Sequence, residues 1–394
     1  MTARDARGSS PLDRAHARGG GNRALLVELD LGAGRVDERL AELAALATSA
    51  GARIVGSVTG RRSRPDAATF AGKGKVEEIA QLRDGADADL VIFDHALSGA
   101  QQRNLENAVQ CRVVDRTSLI LDIFAQRARS REGKLQVELA QLKHLSTRLV
   151  GGWTHLERQK GGIGLRGPGE TQLETDRRLI TQRVKLISER LRGVARSRAT
   201  QGRTRRRHDV RTVALVGYTN AGKSTLFNRL TGSQVYAANQ LFATLDTTLR
   251  RVHLPGADAI VMSDTVGFIR ELPHDLVAAF KATLSEAADA DLLVHVIDAA
   301  APDRDEQIDA VEAVLEEIGA AGVPQLRVYN KTELAGMPAG VERDPCGTIT
   351  AVRASALTGA GCAELKQALA ERLQAAAAPP SPTGETARMH SERP

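Results

Sequence analysis

The chain has few cysteines, no long apolar run and no apolar leader. Its three cysteines, Cys111, Cys346 and Cys362, are odd in number and far apart, which suits neither a disulfide framework nor the spacing of a zinc site. No apolar run reaches the roughly 18 residues that a membrane-spanning helix needs, and the Arg- and Gly-rich first 22 residues lack the apolar core of a secretory signal. These absences exclude secreted, membrane and metal-finger classes, and we expect a cytoplasmic protein.

Charge is distributed unevenly along an otherwise ordinary globular composition. The 394 residues are 42% hydrophobic and 26% charged, and their number suggests two or three domains. The net charge is +6, but residues 212–374 have 13 Lys and Arg against 21 Asp and Glu, which is a net charge of −8 and leaves +14 for the rest. A basic part followed by an acidic part suggests that the first part binds a polyanion. The alternative is a solvated basic surface with no partner.

The first part of the chain alternates apolar runs with helix-like segments. Strands are predicted at residues 24–29, 53–58, 90–93 and 112–114, and helices at 36–49, 76–82 and 100–109. This alternation predicts a small α/β domain with a parallel sheet over residues 23–116.

Two apolar stripes then predict long helices. The first stripe lies in the proline-free stretch 119–149, and the second includes Leu173, Ile180, Ile187 and Val194, seven residues apart as in a coiled coil. The Gly-rich stretch 151–169 between them predicts the loop of a long antiparallel helical hairpin over residues 117–200. The alternative is two ordinary amphipathic helices packed on a core.

A second βα series follows a basic linker, which is predicted at residues 201–210. Its strands are predicted at 213–216, 251–254, 259–263, 292–297, 325–329 and 348–352, and its helices near Gly222, Asp275, Asp305 and Gly361. This pattern predicts a doubly wound sheet over residues 211–376. The polar ends of the chain, 1–22 and 377–394, are expected to be disordered tails.

The second series contains a phosphate-binding motif. Residues 217–224 read G-Y-T-N-A-G-K-S, follow a predicted strand and begin a helix, which is the context of a phosphate loop. We expect Lys223 to contact the β- and γ-phosphates and Ser224 to bind Mg²⁺. The predicted nucleotide contacts are Gly217, Tyr218, Thr219, Asn220, Ala221, Gly222, Lys223, Ser224 and Thr225.

Two further motifs follow in the order that GTPase machinery needs. The first, at the end of a predicted strand, predicts that Asp264 holds Mg²⁺ through water and that the Gly267 N–H binds the γ-phosphate. The second predicts Thr244 as another hydroxyl ligand of Mg²⁺, with Thr247 and Thr248 as competitors, in a segment that loosens on hydrolysis. Lys223, Thr244 and Gly267 are the predicted catalytic residues. The two motifs consist of Asp264, Thr265, Val266 and Gly267, and of Phe242, Ala243, Thr244, Leu245 and Asp246.

Two later motifs are expected to bind a base. A carboxylate two residues after Lys331 can accept hydrogen bonds from guanine N1–H and the exocyclic amine, a pair of donors that adenine lacks. The usual motif has Asp where this chain has Glu333, which keeps the charge and extends the reach by one methylene. We therefore predict a GTPase with GTP as substrate and Mg²⁺ as cofactor. The predicted base contacts are Asn330, Lys331, Thr332 and Glu333, and Ser355, Ala356 and Leu357.

Two positions bear on the hydrolysis step. Phe268 stands where many GTPases have a glutamine that orients water. Because Phe cannot orient water, we expect slow intrinsic hydrolysis that needs a partner. The carboxamide of Asn220 could seat a monovalent cation such as K⁺ between the phosphates, and the alternative is that Asn220 only shapes the turn.

These motifs together resemble the HflX family of translational GTPases. The resemblance rests on GYTNAGKS, FATLD, DTVGF and the unusual stretch GGIGLRGPGETQLETDRR at 161–178, and FAGKGKVEEI at 70–79 is similar to the family's N-terminal domain. It covers residues from about Ala24 to Leu373. It implies a GTPase whose N-terminal domain and hairpin bind the large ribosomal subunit, and which splits or rescues stalled ribosomes under stress such as heat. The departures are Glu333 and the absence of proline after Asp246.

The loop of the hairpin suggests how an RNA partner is bound. Cations next to stacking side chains suit RNA phosphates and unstacked bases, and the loop has Arg158, Lys160 and Arg166 beside Trp153 and His155. An isolated loop of this kind would be interpreted as a connector, but the charge and the resemblance favour the large ribosomal subunit and ribosomal RNA as partners. We expect a monomer that binds no DNA, inserts into no membrane, and associates with ribosomes or peripherally with a membrane.

Other functions and a second site stay open at this point. The alternatives are a GTPase of ribosome assembly or RNA maturation, and a GTP-controlled regulatory module for a protein partner. Gly72-Lys73-Gly74-Lys75 also looks suited to phosphate, and the resemblance leaves open a second site, for ATP, in the N-terminal domain.

Overall fold

A computed structural model describes most of the chain. It covers residues 22–32, 34–159, 168–207, 210–233, 240–273, 276, 280, 284 and 286–375, with the backbone alone at 149–159, 168–173, 198–199 and 201–207. Apart from residue 22, the expected tails lie outside the described residues. Lys160 and Arg166, and the side chains of Trp153, His155 and Arg158, lie outside them as well.

The N-terminal domain has the small parallel sheet that the sequence predicts. Its four strands are parallel and lie in the order β2-β1-β3-β4. The central strand β1 is buried almost throughout, as expected for a parallel strand covered on both faces. The strands are β1 (Arg23–Asp30), β2 (Arg53–Arg61), β3 (Leu90–Phe93) and β4 (Arg112–Asp115), and the helices between them are α1 (Val36–Ser49), α2 (Lys73–Gly85) and α3 (Gly99–Val109).

The proline-free stretch 119–149 is not one continuous helix. The chain forms two helices, α4 (Arg116–Arg127) and α5 (Arg131–Gln159), separated by three residues. Ala128 has extended backbone angles and ends α4. Ser130 then accepts a hydrogen bond from the Gly133 N–H at 2.8 Å, the usual way in which a serine begins a helix.

Both helices of the hairpin extend further than the sequence predicts. Helix α5 continues to Gln159, through the first half of the expected loop 151–169, and α6 (Pro168–Arg207) continues through most of the expected linker 201–210. Arg183 of α6 forms an ion pair with Glu138 of α5 at 2.6 Å. No helix in the described ranges is long and apolar enough to cross a membrane.

The C-terminal domain has a doubly wound, mostly parallel sheet, as predicted. Its seven strands lie in the order β10-β11-β9-β8-β5-β7-β6, with antiparallel pairing only at the two edges. Strand β10 was not expected. The strands are β5 (Thr212–Val216), β6 (Thr248–Val252), β7 (Ile260–Asp264), β8 (Leu292–Asp298), β9 (Gln325–Asn330), β10 (Gly340–Arg343) and β11 (Ile349–Arg353), and the helices are α7 (Lys223–Thr231), α8 (Arg304–Glu317), α9 (Thr332–Ala335) and α10 (Cys362–Ala375).

The two domains share a hydrophobic core. A continuous cluster of buried apolar residues includes side chains of α1 and α4 and of residues 241–245 and 266–269. At its centre the ring of Phe124 on α4 lies 4.7 Å from that of Phe242 and 4.9 Å from that of Phe280, edge to face in both pairs. Asp275, near which a helix is expected, lies outside the described residues, and Leu276, Phe280 and Leu284 belong to this core.

Truncation of Phe124 should loosen the contact between the domains. Phe124→Ala should lower the free energy of unfolding by about 3–5 kcal/mol, because a buried ring is lost and a cavity remains. Urea unfolding measures the change. In the control Leu82→Ala the side chain is 43% exposed, and the change should stay within about 0.5 kcal/mol. Equal effects of the two variants would contradict the central place of Phe124.

Candidate nucleotide site

The phosphate loop connects the end of β5 to the start of α7. Gly217 has φ +146° and Gly222 has φ +93°, both in the region that L side chains rarely adopt. A Cβ at Gly217 would lie 2.2 Å from the Val296 carbonyl oxygen, and a Cβ at Gly222 would lie 2.3 Å from the Asn330 side-chain nitrogen. Glycine is therefore required at both positions of the motif.

The ammonium of Lys223 is held inside this loop. Its Nζ donates to the carbonyl oxygens of Gly217 at 2.9 Å and Tyr218 at 2.7 Å. Burial lowers the pKa of Lys223 to about 8, opposed by the nearby Asp264 carboxylate. The loop thus fixes a cation at the N-terminus of α7, where the helix dipole also favours an anion.

Three side-chain oxygens meet beside Lys223. Ser224 Oγ lies 2.7 Å from Thr244 Oγ1 and 2.7 Å from Asp264 Oδ2, and Thr244 Oγ1 lies 3.2 Å from the same carboxylate oxygen. Burial raises the pKa of Asp264, opposed by Ser224, Lys223 and Thr244. The other carboxylate oxygen, Oδ1, is buried and has no hydrogen-bond partner. Hydroxyl and carboxylate oxygens are the ligands that Mg²⁺ prefers, so these residues fit a magnesium ion.

Residues 264–267 lie directly against the phosphate loop. Thr219 N–H donates to the Phe268 carbonyl at 2.7 Å, and Phe268 N–H donates to the Gly217 carbonyl at 3.1 Å. A Cβ at Gly267 would lie 2.9 Å from Thr219 Cα and 3.0 Å from Lys223 Nζ. The Phe268 ring is fully buried in the core that the two domains share, so it takes no part in orienting water.

The motifs predicted to bind a base meet at the other end of the phosphate loop. The Asn330 amide donates to the Ala221 carbonyl at 2.8 Å and accepts from the Ala356 N–H at 2.9 Å. Asn330 therefore joins all three motifs. Lys331 Nζ forms an ion pair with Asp298 Oδ2 at 2.6 Å, a partner that the sequence analysis missed. Glu333 is exposed.

The structure brings most of the predicted phosphate-site residues to one cleft. It is lined by Thr219, Asn220, Gly222, Lys223, Ser224, Thr225, Gln240, Phe242, Ala243, Thr244, Thr265 and Gly267. Two of the predicted residues outside this lining, Leu245 and Asp246, lie against the N-terminal domain. The other predicted phosphate-site residues that do not line the cleft are Gly217, Tyr218, Ala221, Asp264 and Val266. Of the competitors of Thr244, Thr248 pairs with Asp264 as the first residue of β6.

Sequence reasoning missed the link from this site to the N-terminal domain. The Tyr218 hydroxyl donates to the Glu42 carboxylate of α1 and accepts from the Arg270 N–H at 3.0 Å. Arg116 of α4 donates to Glu42 and, at 3.0 Å, to the Arg270 carbonyl. Burial, together with Glu42, raises the pKa of Tyr218 well above its usual range, so the phenol stays a donor. No local pattern in the sequence pairs positions so far apart.

The stretch 72–75, which looked suited to phosphate, differs from this site because Lys75 and Gly72 contact other parts of the chain. Lys75 Nζ donates to the Thr59 carbonyl at 2.9 Å and forms an ion pair with Glu78 at 2.6 Å. Gly72 has φ +79°, and a Cβ there would lie 1.8 Å from the Arg62 guanidinium. The glycine therefore makes room for a side chain of the chain itself.

Three protein families match consecutive parts of the chain. The family described as "GTP-binding GTPase N-terminal" matches residues 37–125, and "GTP-binding GTPase Middle Region" matches residues 127–206. The family described as "50S ribosome-binding GTPase" matches residues 212–331.

Known proteins share much of the sequence. GTPase HflX of Escherichia coli strain K12 is 57% identical over 354 residues, which cover 90% of this chain and 83% of that protein. The chain belongs to the HflX family of GTPases. GTPase HflX of Caldanaerobacter subterraneus subsp. tengcongensis is 51% identical over 323 residues, which cover 82% of this chain and 75% of that protein. A GTP-binding protein of Sulfolobus solfataricus, solved in complex with GDP, is 22% identical, and the match covers 90% of this chain and 99% of that chain with a TM-score of 0.46.

Family membership makes the protein a P-loop GTPase, an enzyme that binds GTP and hydrolyses it to GDP and phosphate. The geometry of the phosphate loop agrees with this activity, since a fixed cation, a helix N-terminus and three clustered oxygens surround one cleft.

Lys223→Ala should strongly weaken GTP binding. The variant removes the cation that the phosphate loop fixes, so affinity for GTP and GDP should fall by at least roughly thirtyfold. Fluorescence titration with a labelled guanine nucleotide measures the loss. Lys366→Ala on α10, which also removes one positive charge, should bind like the parent. Parental affinity in Lys223→Ala would refute the role of this loop.

Proposed function

We propose that the protein is a GTP-driven switch that binds the large ribosomal subunit through its N-terminal domain and helical hairpin, and that the GTP-bound form splits or rescues stalled ribosomes. The description "50S ribosome-binding GTPase" of the family that matches residues 212–331 supports a ribosomal partner. The resemblance of residues 161–178 to the HflX family supports the rescue role.

The charge and shape of α6 are the observations that carry the proposal. This helix has 40 residues, which corresponds to a length of about 60 Å. It carries a net charge of +8, and most of its described side chains are exposed. A long exposed cationic rod next to an acidic GTPase domain suits a polyanion such as ribosomal RNA, because neutralised phosphates release counterions.

We propose roles for the main residues of the nucleotide site. Lys223 binds the β- and γ-phosphates, Gly267 donates its N–H to the γ-phosphate, and Ser224, Thr244 and Asp264 hold Mg²⁺, with Asp264 acting through water. When bound, Mg²⁺ neutralises the charge that develops on the phosphate oxygens. Asn330, Glu333 and residues 355–357 bind guanine.

We propose that the ribosome supplies what the hydrolysis site lacks. The side chain after Gly267 is the buried Phe268, so this position offers no group to orient water. A partner that completes the site would raise a slow intrinsic rate, as activating proteins do for other GTPases.

Ribosome binding can be tested with charge variants of α6. The triple variant Arg190→Ala, Arg192→Ala, Arg196→Ala removes exposed guanidinium groups from α6. In sedimentation with large subunits and a non-hydrolysable GTP analogue, it should bind more weakly. The slope of log affinity against log salt concentration should become shallower, its magnitude falling by about 2–3. The intrinsic GTPase rate should stay unchanged, and stimulation by large subunits should fall.

The matched control keeps the charge and changes only the geometry. A triple variant with Lys at the same three positions should retain most of the affinity, since Lys still provides a point charge for phosphate.

If the Ala variant binds and is stimulated like the parent, α6 is not the contact. A second triple variant, Arg158→Ala, Lys160→Ala, Arg166→Ala, then tests the loop. Binding to precursor particles but not to mature subunits would instead indicate a role in assembly. Failure to separate whole ribosomes on a sucrose gradient would refute splitting.

A monovalent cation is a further proposed cofactor. Asn220 is exposed and has φ +61°, a conformation in which asparagine is one of the few tolerated side chains. If its carboxamide helps to hold K⁺, hydrolysis should be faster in K⁺ than in Na⁺ at equal ionic strength. Asn220→Gly preserves the turn but lacks the carboxamide, so it should lose this difference. Equal parental rates in both salts would leave Asn220 as a turn residue only.

A further inference from the structure

The segment 240–246, which we call switch I, lies on the N-terminal domain rather than free at the edge of the site. Its Leu241 N–H donates to the Ser49 hydroxyl at 3.0 Å, and Gln240 accepts from Arg127. The Phe242 ring is buried against Phe124. Phe242 has φ +54°, a strained backbone for an aromatic residue, so tertiary contacts must hold it.

The last residue of switch I, Asp246, binds at the start of α5. Its carboxylate lies in a small site formed by Arg129, Ser130 and Gly133, which we call the socket. Asp246 Oδ2 accepts from the Arg129 N–H and the Ser130 N–H, both at 2.8 Å, and Oδ1 accepts from the Ser130 hydroxyl. A carboxylate at this position is also favoured by the helix dipole. The same Ser130 hydroxyl accepts from the Gly133 N–H, so one network begins the helix and binds switch I.

Gly133 gives the socket its shape. A Cβ at this position would lie 2.2 Å from Asp246 Oδ1 and 3.2 Å from Ser130 Oγ. Its φ is not in the left-handed region, so any residue could adopt the backbone, and helix propensity alone would favour alanine. Glycine stands at position 133 because Asp246 occupies the space that a side chain would need.

Only one residue lies between Asp246 and Thr244, whose hydroxyl lies 2.7 Å from Ser224 and 3.2 Å from Asp264. That residue, Leu245, is buried in the shared core. A carboxylate fixed at α5 and a leucine fixed in the core leave Thr244 little freedom. The position of Thr244 thus depends on the first turn of the hairpin.

We propose that Ser130 and Gly133 are positioning residues for the GTPase: with Asp246 they hold switch I so that Thr244 reaches the magnesium site in the GTP-bound state. This rests on the proposed role of Thr244 as a magnesium ligand. If the Asp246 contact makes the binding free energy of GTP more favourable relative to that of GDP, then bound GTP, relative to GDP, stabilises that contact by the same amount. This follows from thermodynamic linkage. The first helix of the hairpin therefore senses which nucleotide is bound.

The test compares affinities for a non-hydrolysable GTP analogue and for GDP, with Mg²⁺ present. Asp246→Ala, Ser130→Ala and Gly133→Ala should each weaken binding of the analogue by roughly three- to thirtyfold. GDP affinity should stay near that of the parent, because GDP has no γ-phosphate to require ordered Thr244. The double variant Asp246→Ala, Ser130→Ala should lose less than the product of the two single effects, since both remove the same contact.

Hydrogen exchange provides a second readout that does not depend on activity. In the parent, the amides of Arg129 and Ser130 should exchange more slowly with the GTP analogue than with GDP, because Asp246 covers them only when switch I is in place. In Asp246→Ala this difference should disappear. Ser130→Thr keeps a hydroxyl and should restore most of the preference for the analogue. Lys134→Ala replaces an exposed side chain one residue beyond Gly133, and it should behave like the parent.

The outcomes separate the socket from the site. If the three variants fold and bind both nucleotides like the parent, the socket does not position switch I. If they weaken GDP and the analogue equally, the contact only supports the fold, and the proposal is also wrong. Thr244→Ala is tested in parallel. If Thr244→Ala keeps the parental preference for the analogue over GDP, the role of Thr244 as a magnesium ligand is wrong. If Thr244→Ala loses this preference but the Asp246, Ser130 and Gly133 variants keep it, only the role of the socket is wrong.

Discussion

The packing of switch I and of residues 264–270 against the N-terminal domain is the constraint on which the rest of the structure depends. Each sheet packs on one side against a core of its own domain. Phe124, Phe242 and Phe268 instead belong to one continuous core that both domains share. Because protein interiors are densely packed, such a core has discrete arrangements and does not deform smoothly. Segments that line the candidate nucleotide cleft are therefore also parts of a domain interface.

The proposed coupling between the nucleotide site and the hairpin has identifiable contacts to act through. Arg116 and the Tyr218 hydroxyl hold the backbone of Arg270 from both sides, and Ser130 holds Asp246. Helix α5 begins at this second contact and extends for 29 residues to Gln159. A change of nucleotide at one end and a bound polyanion at the other would act on the same rigid elements, which is the physical requirement for coupling.

Much of this architecture could be predicted from local pattern. The alternation of apolar runs gave helix α1 and strand β3 at their observed bounds, and the spacing of glycines around Lys223 gave the phosphate loop, because a phosphate-binding turn requires a particular backbone. The break between α4 and α5 was missed. Its signal, a serine three residues before Gly133, is weak in a stretch without proline, and the cap is completed only by Asp246, more than a hundred residues later in the chain.

The sequence by itself determined the two βα domains, the long cationic helices and the order of the nucleotide-binding motifs, since periodicity, charge and backbone requirements are local properties. Only the tertiary structure decided that Leu245 and Asp246 contact the N-terminal domain, that Tyr218 joins Glu42 to Arg270, and that Phe268 is a core residue. Such contacts pair residues far apart in the chain, and no local pattern encodes them. They depend on how two domains bury their remaining apolar surface against each other.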